Sequence, residues 1–201
     1  MNSAELGTVF VTGASSGFGA VIARRFAAVG ARVVATARRA ERLKGLAAEL
    51  GPLVLPVMLD VRDRAAVTEV VGGLAPEFAE IQVLVNNAGL ALGLNPAQDA
   101  DLDDWEQMID TNCKGLACCT RAILPGKVAR GRGHVINLGS VAGAYPYPGG
   151  KRLRRYQGAG ATHHPRAHQG SSRRGPTGTS GHRHRTRPRL TLVMPPGRRR
   201  A

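Results

Sequence analysis

The stretch Thr8 to Ala20, Thr-Val-Phe-Val-Thr-Gly-Ala-Ser-Ser-Gly-Phe-Gly-Ala, limits the fold more than any other part of the chain. Val9 to Val11 is a short apolar run of the kind that forms a fully buried strand. It breaks into a turn spaced by Gly13, Gly17 and Gly19. Phe18, Ile22, Phe26 and Val29 then recur at helical spacing. A strand, a glycine turn and a helix in that order form a cradle for a pyrophosphate. Gly13 allows the tight turn, and the other glycines allow close backbone approach and helix-on-strand packing. The helix start adds unpaired N–H groups and a positive dipole end. The spacing is TGxxxGxG, and its position between a strand and an amphipathic helix favours nucleotide binding over an ordinary loop.

The same alternation continues along the chain. Arg32 to Thr36 is a second buried strand that ends in Ala37-Arg38-Arg39. In nucleotide folds of this kind an acid at that point bonds the ribose hydroxyls of NAD, whereas an arginine meets a 2′-phosphate. NADP is therefore favoured over NAD, with Arg38 the first choice for the contact and Arg39 the second. The alternative is that both simply begin the solvated helix Arg39 to Leu50.

Leu53 to Leu59 is a third strand, ending at Asp60-Val61. An acid past a strand's carboxyl end stands where ligands lie in open α/β sheets. The alternative for Asp60 is to cap the helix that Asp63 also introduces. Residues 64–78 form a helix, and Val83 to Val85 a fourth strand that runs into Asn86-Asn87-Ala88-Gly89. Adjacent amides there can bond a neighbouring strand and leave room for a cofactor. Asp101, Asp103 and Asp104 open a long helix through about Leu124. Asn112, a poor helix former, lies inside it. His134 to Leu138 is a fifth strand, followed by Gly139-Ser140, and His134 reads as structural. Strands that are apolar throughout, alternating with helices, specify a parallel sheet covered on both faces.

Charge divides the chain near Gly150. The first 150 residues hold fourteen basic residues and all fourteen acids, so they sum to zero. Residues 151–201 hold the other fourteen basic residues, no acid, and five of the six histidines. Without apolar periodicity, such a stretch cannot bury enough surface to offset its ordering entropy, and it reads as a disordered basic tail. Only Tyr156 is available there to stack on a base, and no nucleic-acid motif accompanies it. No apolar run is long enough to span a membrane. The N-terminus lacks the basic and apolar segments of a secretory signal. Cys113, Cys118 and Cys119 lack paired metal-ligand spacing and suit a reducing cytoplasm.

Taken together, Thr12-Gly13-Ala14-Ser15-Ser16-Gly17-Phe18-Gly19, Asp60-Val61, Asn86-Asn87-Ala88-Gly89, Asn112 and Ser140 resemble the short-chain dehydrogenase/reductase family over residues 6 to about 150. Gly89-Leu90-Ala91-Leu92-Gly93 and the loop Tyr145 to Gly150 look most like its serine/3-hydroxy acid dehydrogenase branch. The resemblance implies a Rossmann-type doubly wound parallel sheet, here truncated. It also implies an oxidoreductase that moves a hydride between a secondary alcohol and a ketone with NADP, acting on a small molecule. Gly13, Ser15, Ser16, Gly17, Phe18 and Gly19 would hold the pyrophosphate side, and Arg38 the 2′-phosphate. Asp60 and Val61 would flank adenine, and Asn87, with Ala88 and Gly89, the nicotinamide-side ribose. The family is often dimeric or tetrameric through its helices and C-terminal part, which puts an oligomer of this chain in doubt.

The family's chemistry uses a Tyr as general acid/base, a Lys that lowers its pKa, a Ser that polarises the substrate oxygen and an Asn that holds a water relay. Ser140 and Asn112 match the last two. The family's Tyr falls at position 153 and its Lys at 157, where this chain has Leu153 and Gln157. Codons permitted for Lys151 to Gly158, read from their second base, allow Asn-Val-Tyr-Gly-Ala-Thr-Lys. That places a tyrosine at 153 and a lysine at 157. The same shift over Gly181 to Arg189 allows Val-Thr-Asp-Ile-Glu-Pro-Gly-Leu, similar to the family's sixth strand and Pro-Gly turn. The tail therefore reads as out of frame by one extra base near codon 151, and the chain as written as inactive.

Overall fold

The computed structural model describes residues 7–93, 95 and 97–140. The chain alternates strand and helix: β1 (Thr8–Thr12), α1 (Gly17–Ala28), β2 (Arg32–Ala37), α2 (Ala40–Leu50), β3 (Val54–Met58), α3 (Arg64–Gly72), α4 (Pro76–Ala79) and β4 (Ile81–Asn86). Then come α5 (Leu102–Ile109), a π-helical segment (Asp110–Gly115), α6 (Leu116–Ala129) and β5 (His134–Asn137). The five strands lie in the order β3-β2-β1-β4-β5 and every pairing is parallel. This is the doubly wound Rossmann-type sheet. Crossing from β3 through β1 and then jumping to β4 places the reversal of strand order beside β1, where such sheets take their ligands.

The three central strands, β1, β2 and β4, are largely apolar and buried because both faces are covered, while the edge strands β3 and β5 are partly exposed. Val9 and Val11, Val33 and Ala35, and Val83 and Val85 face one core with Ala23, Leu43 and Leu46 of α1 and α2. Their alternates Phe10, Val34 and Leu84 face a second core with Val67, Phe78, Cys119 and Ile123 of α3, α4 and α6. A period of two in side-chain direction thus distributes one hydrophobic run between two layers.

Several boundaries differ from the sequence expectation. Residues 64–78 are two helices, because Gly72-Gly73 ends the first and Pro76 starts the second at a position that needs no N–H donor. Asp63 caps α3 by accepting from the amides of Ala65 and Ala66, 2.9 and 3.0 Å. Asp60 takes no part in that cap. The expected stripe on α1 is rotated. Gly19, Ala20 and Ala23 are its buried residues, while Phe18 is 57% and Val29 51% exposed. Ile22 and Phe26 pack against the core as expected but are only partly buried, and the small side chains let α1 approach the sheet closely and take the fully buried contact. The long helix expected through Leu124 is interrupted by the π segment and continues to Ala129.

At the amino end of β4, Lys127 is 5% exposed. Its ammonium donates to the carbonyls of Ile81 and Gln82 at 3.0 and 2.7 Å. Arg130 Nη2 donates to the Ile81 carbonyl as well, at 3.0 Å. Burial, reinforced by the Arg130 charge, pushes the Lys127 pKa down to about 8 from an ordinary 10.5. The unfolded chain therefore binds the proton more tightly than the folded one, and stability gains as pH rises between those values. We expect wild type to gain about 1–3 kcal/mol relative to Lys127→Met between pH 8 and 10.5. Urea unfolding of both proteins across that range checks it.

Candidate active site

A cleft of about 530 Å³ opens along the carboxyl ends of β1, β2, β3 and β4. The turn after β1 supplies Gly13, Ser15, Ser16, Gly17 and Phe18. The turn after β2 supplies Arg38 and Arg39, and that after β3 supplies Asp60 and Val61. Asn87, Ala88 and Gly89 follow β4. Eleven of the expected cofactor residues thus line one cleft, together with Arg39, Ala37, Leu59, Leu90 and Thr111.

Gly19, the twelfth, acts beneath that surface. A Cβ on it would strike the Gly13 carbonyl oxygen and Asn87 Nδ2. Gly13 has φ +68°, and a Cβ there would stand 2.9 Å from both Ala88 Cα and Asn87 Nδ2. The floor of the cleft is therefore three backbones in contact. Gly17, at φ +54°, has open space around it instead. It serves the turn and keeps the mouth clear.

The Thr12–Asn87 pair locks the floor. Thr12 Oγ1 donates to the Val85 carbonyl at 3.3 Å and accepts from the amides of Asn87 and Ala88 at 3.0 and 2.9 Å. Asn87 Nδ2 donates back to the carbonyls of Thr12 and Gly13, 2.8 and 3.2 Å. With its amide nitrogen so engaged, Asn87 has its Oδ1 available as an acceptor for a hydroxyl. Asn86 points the other way, where Nδ2 donates to Thr120 Oγ1 and Asn137 Oδ1 at 3.0 and 2.8 Å. The two adjacent amides bond neighbouring elements, as the sequence suggested.

At the rim, Arg39 donates through Nη2 to Ser16 Oγ and Ser15 Oγ, 2.7 and 3.0 Å, and through Nε to Ser15 Oγ at 3.2 Å. Ser16 makes no side-chain cap on α1. Asp60 is held by Arg62. The Arg62 guanidinium and backbone amide both donate to its carboxylate, at 2.6–3.0 Å. These bonds keep the Asp60 carboxyl below the usual range, and the charge of Arg38 adds to the effect.

Asn112 lies in the π segment. Its Oδ1 accepts from the Leu90 amide at 2.9 Å and its Nδ2 donates to the Leu90 carbonyl at 2.8 Å. Its side chain fixes the loop that follows β4. Ser140 is exposed beyond the end of β5. Among the described residues, neither Asn112 nor Ser140 lines the cleft. Positions 153 and 157, the expected break near codon 151 and the basic tail lie outside the described residues. Sequence reasoning missed Thr111 and the Asp60–Arg62 clamp. The acid-x-basic spacing at 60–62 is the one signal that pointed to the clamp. Burial pushes the Cys119 thiol up to about 12, in keeping with its place in the second core, and raises Cys113 as well.

The sequence model of the family described as short chain dehydrogenase matches residues 7–152. The chain belongs to the short chain dehydrogenase family. Within this family it is 60% identical over 142 residues to an NADP-dependent 3-hydroxy acid dehydrogenase, YdfG, of Salmonella typhi, covering 71% of this chain and 57% of that protein. It is 54% identical over 144 residues to sulfoacetaldehyde reductase 2 of Chromohalobacter salexigens, covering 70% of this chain and 57% of the reductase. Among solved structures, the closed form of a serine dehydrogenase complexed with NADP+ superposes with a TM-score of 0.73 at 53% identity. That match covers 75% of this chain and 60% of the other. The chain thus spans a little over half the length of these curated relatives. Among its described residues, no helix is long and apolar enough to cross a membrane.

The contact made by Gly19 and the freedom of Gly17 give different costs for the same substitution. Gly19→Ala forces a methyl into the Gly13 carbonyl and should cost about 3 kcal/mol. Gly17→Ala strains only its own backbone and should cost about 1 kcal/mol. Urea denaturation of the two variants measures both.

Proposed function

We propose that the cleft binds NADP and that the chain derives from an enzyme moving hydride between a secondary alcohol, a 3-hydroxy acid or similar, and the corresponding ketone. The observation that carries this reading is the pair Arg38 and Arg39 at the carboxyl end of β2, both lining the cleft where an NAD fold places an acid. The NADP+ complex of the related serine dehydrogenase supports it. The group fits the residues present. Gly13 and Gly19 let the backbones of the floor meet, Gly17 leaves open space at the mouth, and the start of α1 lines the cleft through Gly17 and Phe18.

Ser15, Ser16, Gly17 and Phe18 would hold the pyrophosphate at the start of α1. Arg38, backed by Arg39, would take the 2′-phosphate. Asp60 and Val61 would flank adenine, and Asn87 Oδ1 would accept from a ribose hydroxyl. When bound, NADP supplies the nicotinamide ring that accepts or delivers the hydride. The chain contributes position: Asn112 holds Leu90 on the cleft wall, and Ser140 is the hydroxyl that would polarise the substrate oxygen.

The chain as written carries Leu153 and Gln157 where the family's Tyr and Lys stand. We infer that it binds the nucleotide without turnover, since no side chain at those positions can shuttle the proton. The family match ends at residue 152, next to the codon where the extra base is inferred.

A fluorescence titration tests the nucleotide reading. NADPH should bind more tightly than NADH, and Arg38→Ala should weaken NADPH by roughly tenfold or more while leaving NADH little changed. Equal affinities in wild type would refute it. A steady-state assay with small 3-oxo acids tests the second reading. The chain as written should show no turnover, whereas removal of one base at codon 151 should restore it. Family-like rates from the 201-residue chain, its mass verified, would sink this.

A further inference from the structure

Asp60 is an acid in the wall of a cleft that also presents Arg38 and Arg39. An unrestrained carboxylate there would turn to the nearest guanidinium on the cleft, occupy it, and repel an arriving phosphate. Arg62 prevents this. It is not among the residues that line the cleft, and it takes both carboxylate oxygens. Its Nη2 and Nε donate to Oδ2 at 2.6 and 2.9 Å, and its Nε and backbone amide donate to Oδ1 at 3.0 Å each. The two side chains are about one-third exposed, at 34% and 31%, so solvent screens the pair only in part. Of the two arginines that act on Asp60, Arg62 does so by direct bonds and Arg38 through its charge alone.

We propose that Arg62 sets the preference for NADP over NAD without touching either nucleotide, by holding the Asp60 carboxylate away from Arg38. This rests on the reading above, in which Arg38 meets the 2′-phosphate. Arg62 is a positioning residue. Its bidentate grip fixes the carboxylate's direction, and its charge cancels the one negative group that faces the arginines from β3. The consequence is specific to the 2′-phosphate. A released Asp60 competes with that group for Arg38, whereas NADH presents only hydroxyls there and has no such competitor.

The test is a fluorescence titration of the full-length chain with NADPH and NADH at low salt. Arg62→Ala should lower the ratio of NADPH to NADH affinity on the order of tenfold, any change at the adenine falling on both nucleotides alike. Adding Asp60→Asn to Arg62→Ala removes the competing charge and should bring the ratio back to the wild-type value. The loss in Arg62→Ala should shrink as salt screens the carboxylate. Arg62→Gln, which keeps the stem and loses the charge, should behave as Arg62→Ala and serves if the alanine variant does not fold. A ratio that does not fall in the single variant overturns the inference, as does a ratio that Asp60→Asn fails to restore. A wild-type chain without preference for NADPH overturns the NADP reading and this inference with it.

Discussion

The hydroxyl of Thr12 and the amide of Asn87 hold the end of β1 against the end of β4. Five hydrogen bonds pass through these two side chains, and all of them lie where the two strands give way to turns. A parallel sheet has no hairpins to keep neighbouring strand ends together, so this contact does it. It also explains the glycines. Once Asn87 is drawn onto Thr12 and Gly13, its amide fills the space a Cβ of Gly13 or Gly19 would need. The clasp and the glycines therefore require each other, and the cleft exists because backbone is exposed at its floor.

Around that floor the charges are arranged by restraint. Arg39 is engaged by two serine hydroxyls, Asp60 by Arg62, and Asn112 by the backbone of Leu90. Arg38 lines the same cleft, well placed to meet an anion. A rim of tethered groups is pre-set for a phosphate, and little side-chain entropy remains to be lost on binding.

The strands were the legible part of the sequence. Burial on both faces demands runs such as Val9 to Val11 and Val83 to Val85. The glycine turn and the acids, amides and arginines that end each strand were legible for the same reason: each follows a strand directly. What escaped was contact made by absence of bulk and geometry without a composition signature. Ala20 and Ala23 bury α1 where Phe18 and Val29 were expected to. A π segment differs from an α-helix by one step in its hydrogen-bonding offset, and Asp110 to Gly115 carry no residue that announces it. Asn112 stood out as a poor helix former, but its partner Leu90 is a backbone, which no side-chain pattern reveals.

The π segment and α6 give the cleft wall a support at a distance. From Asn112 to Lys127 is about 22 Å of helix, and the six residues of β4 extend about 20 Å. The two elements run alongside each other and are pinned at both extremities. Asn112 grips the loop that leaves β4, and Lys127 grips the first carbonyls of that strand. The helix is thus a splint on the strand. Leu90 beyond the carboxyl end of β4 and the carbonyls at its amino end depend on one continuous helical stretch, which passes through Pro125.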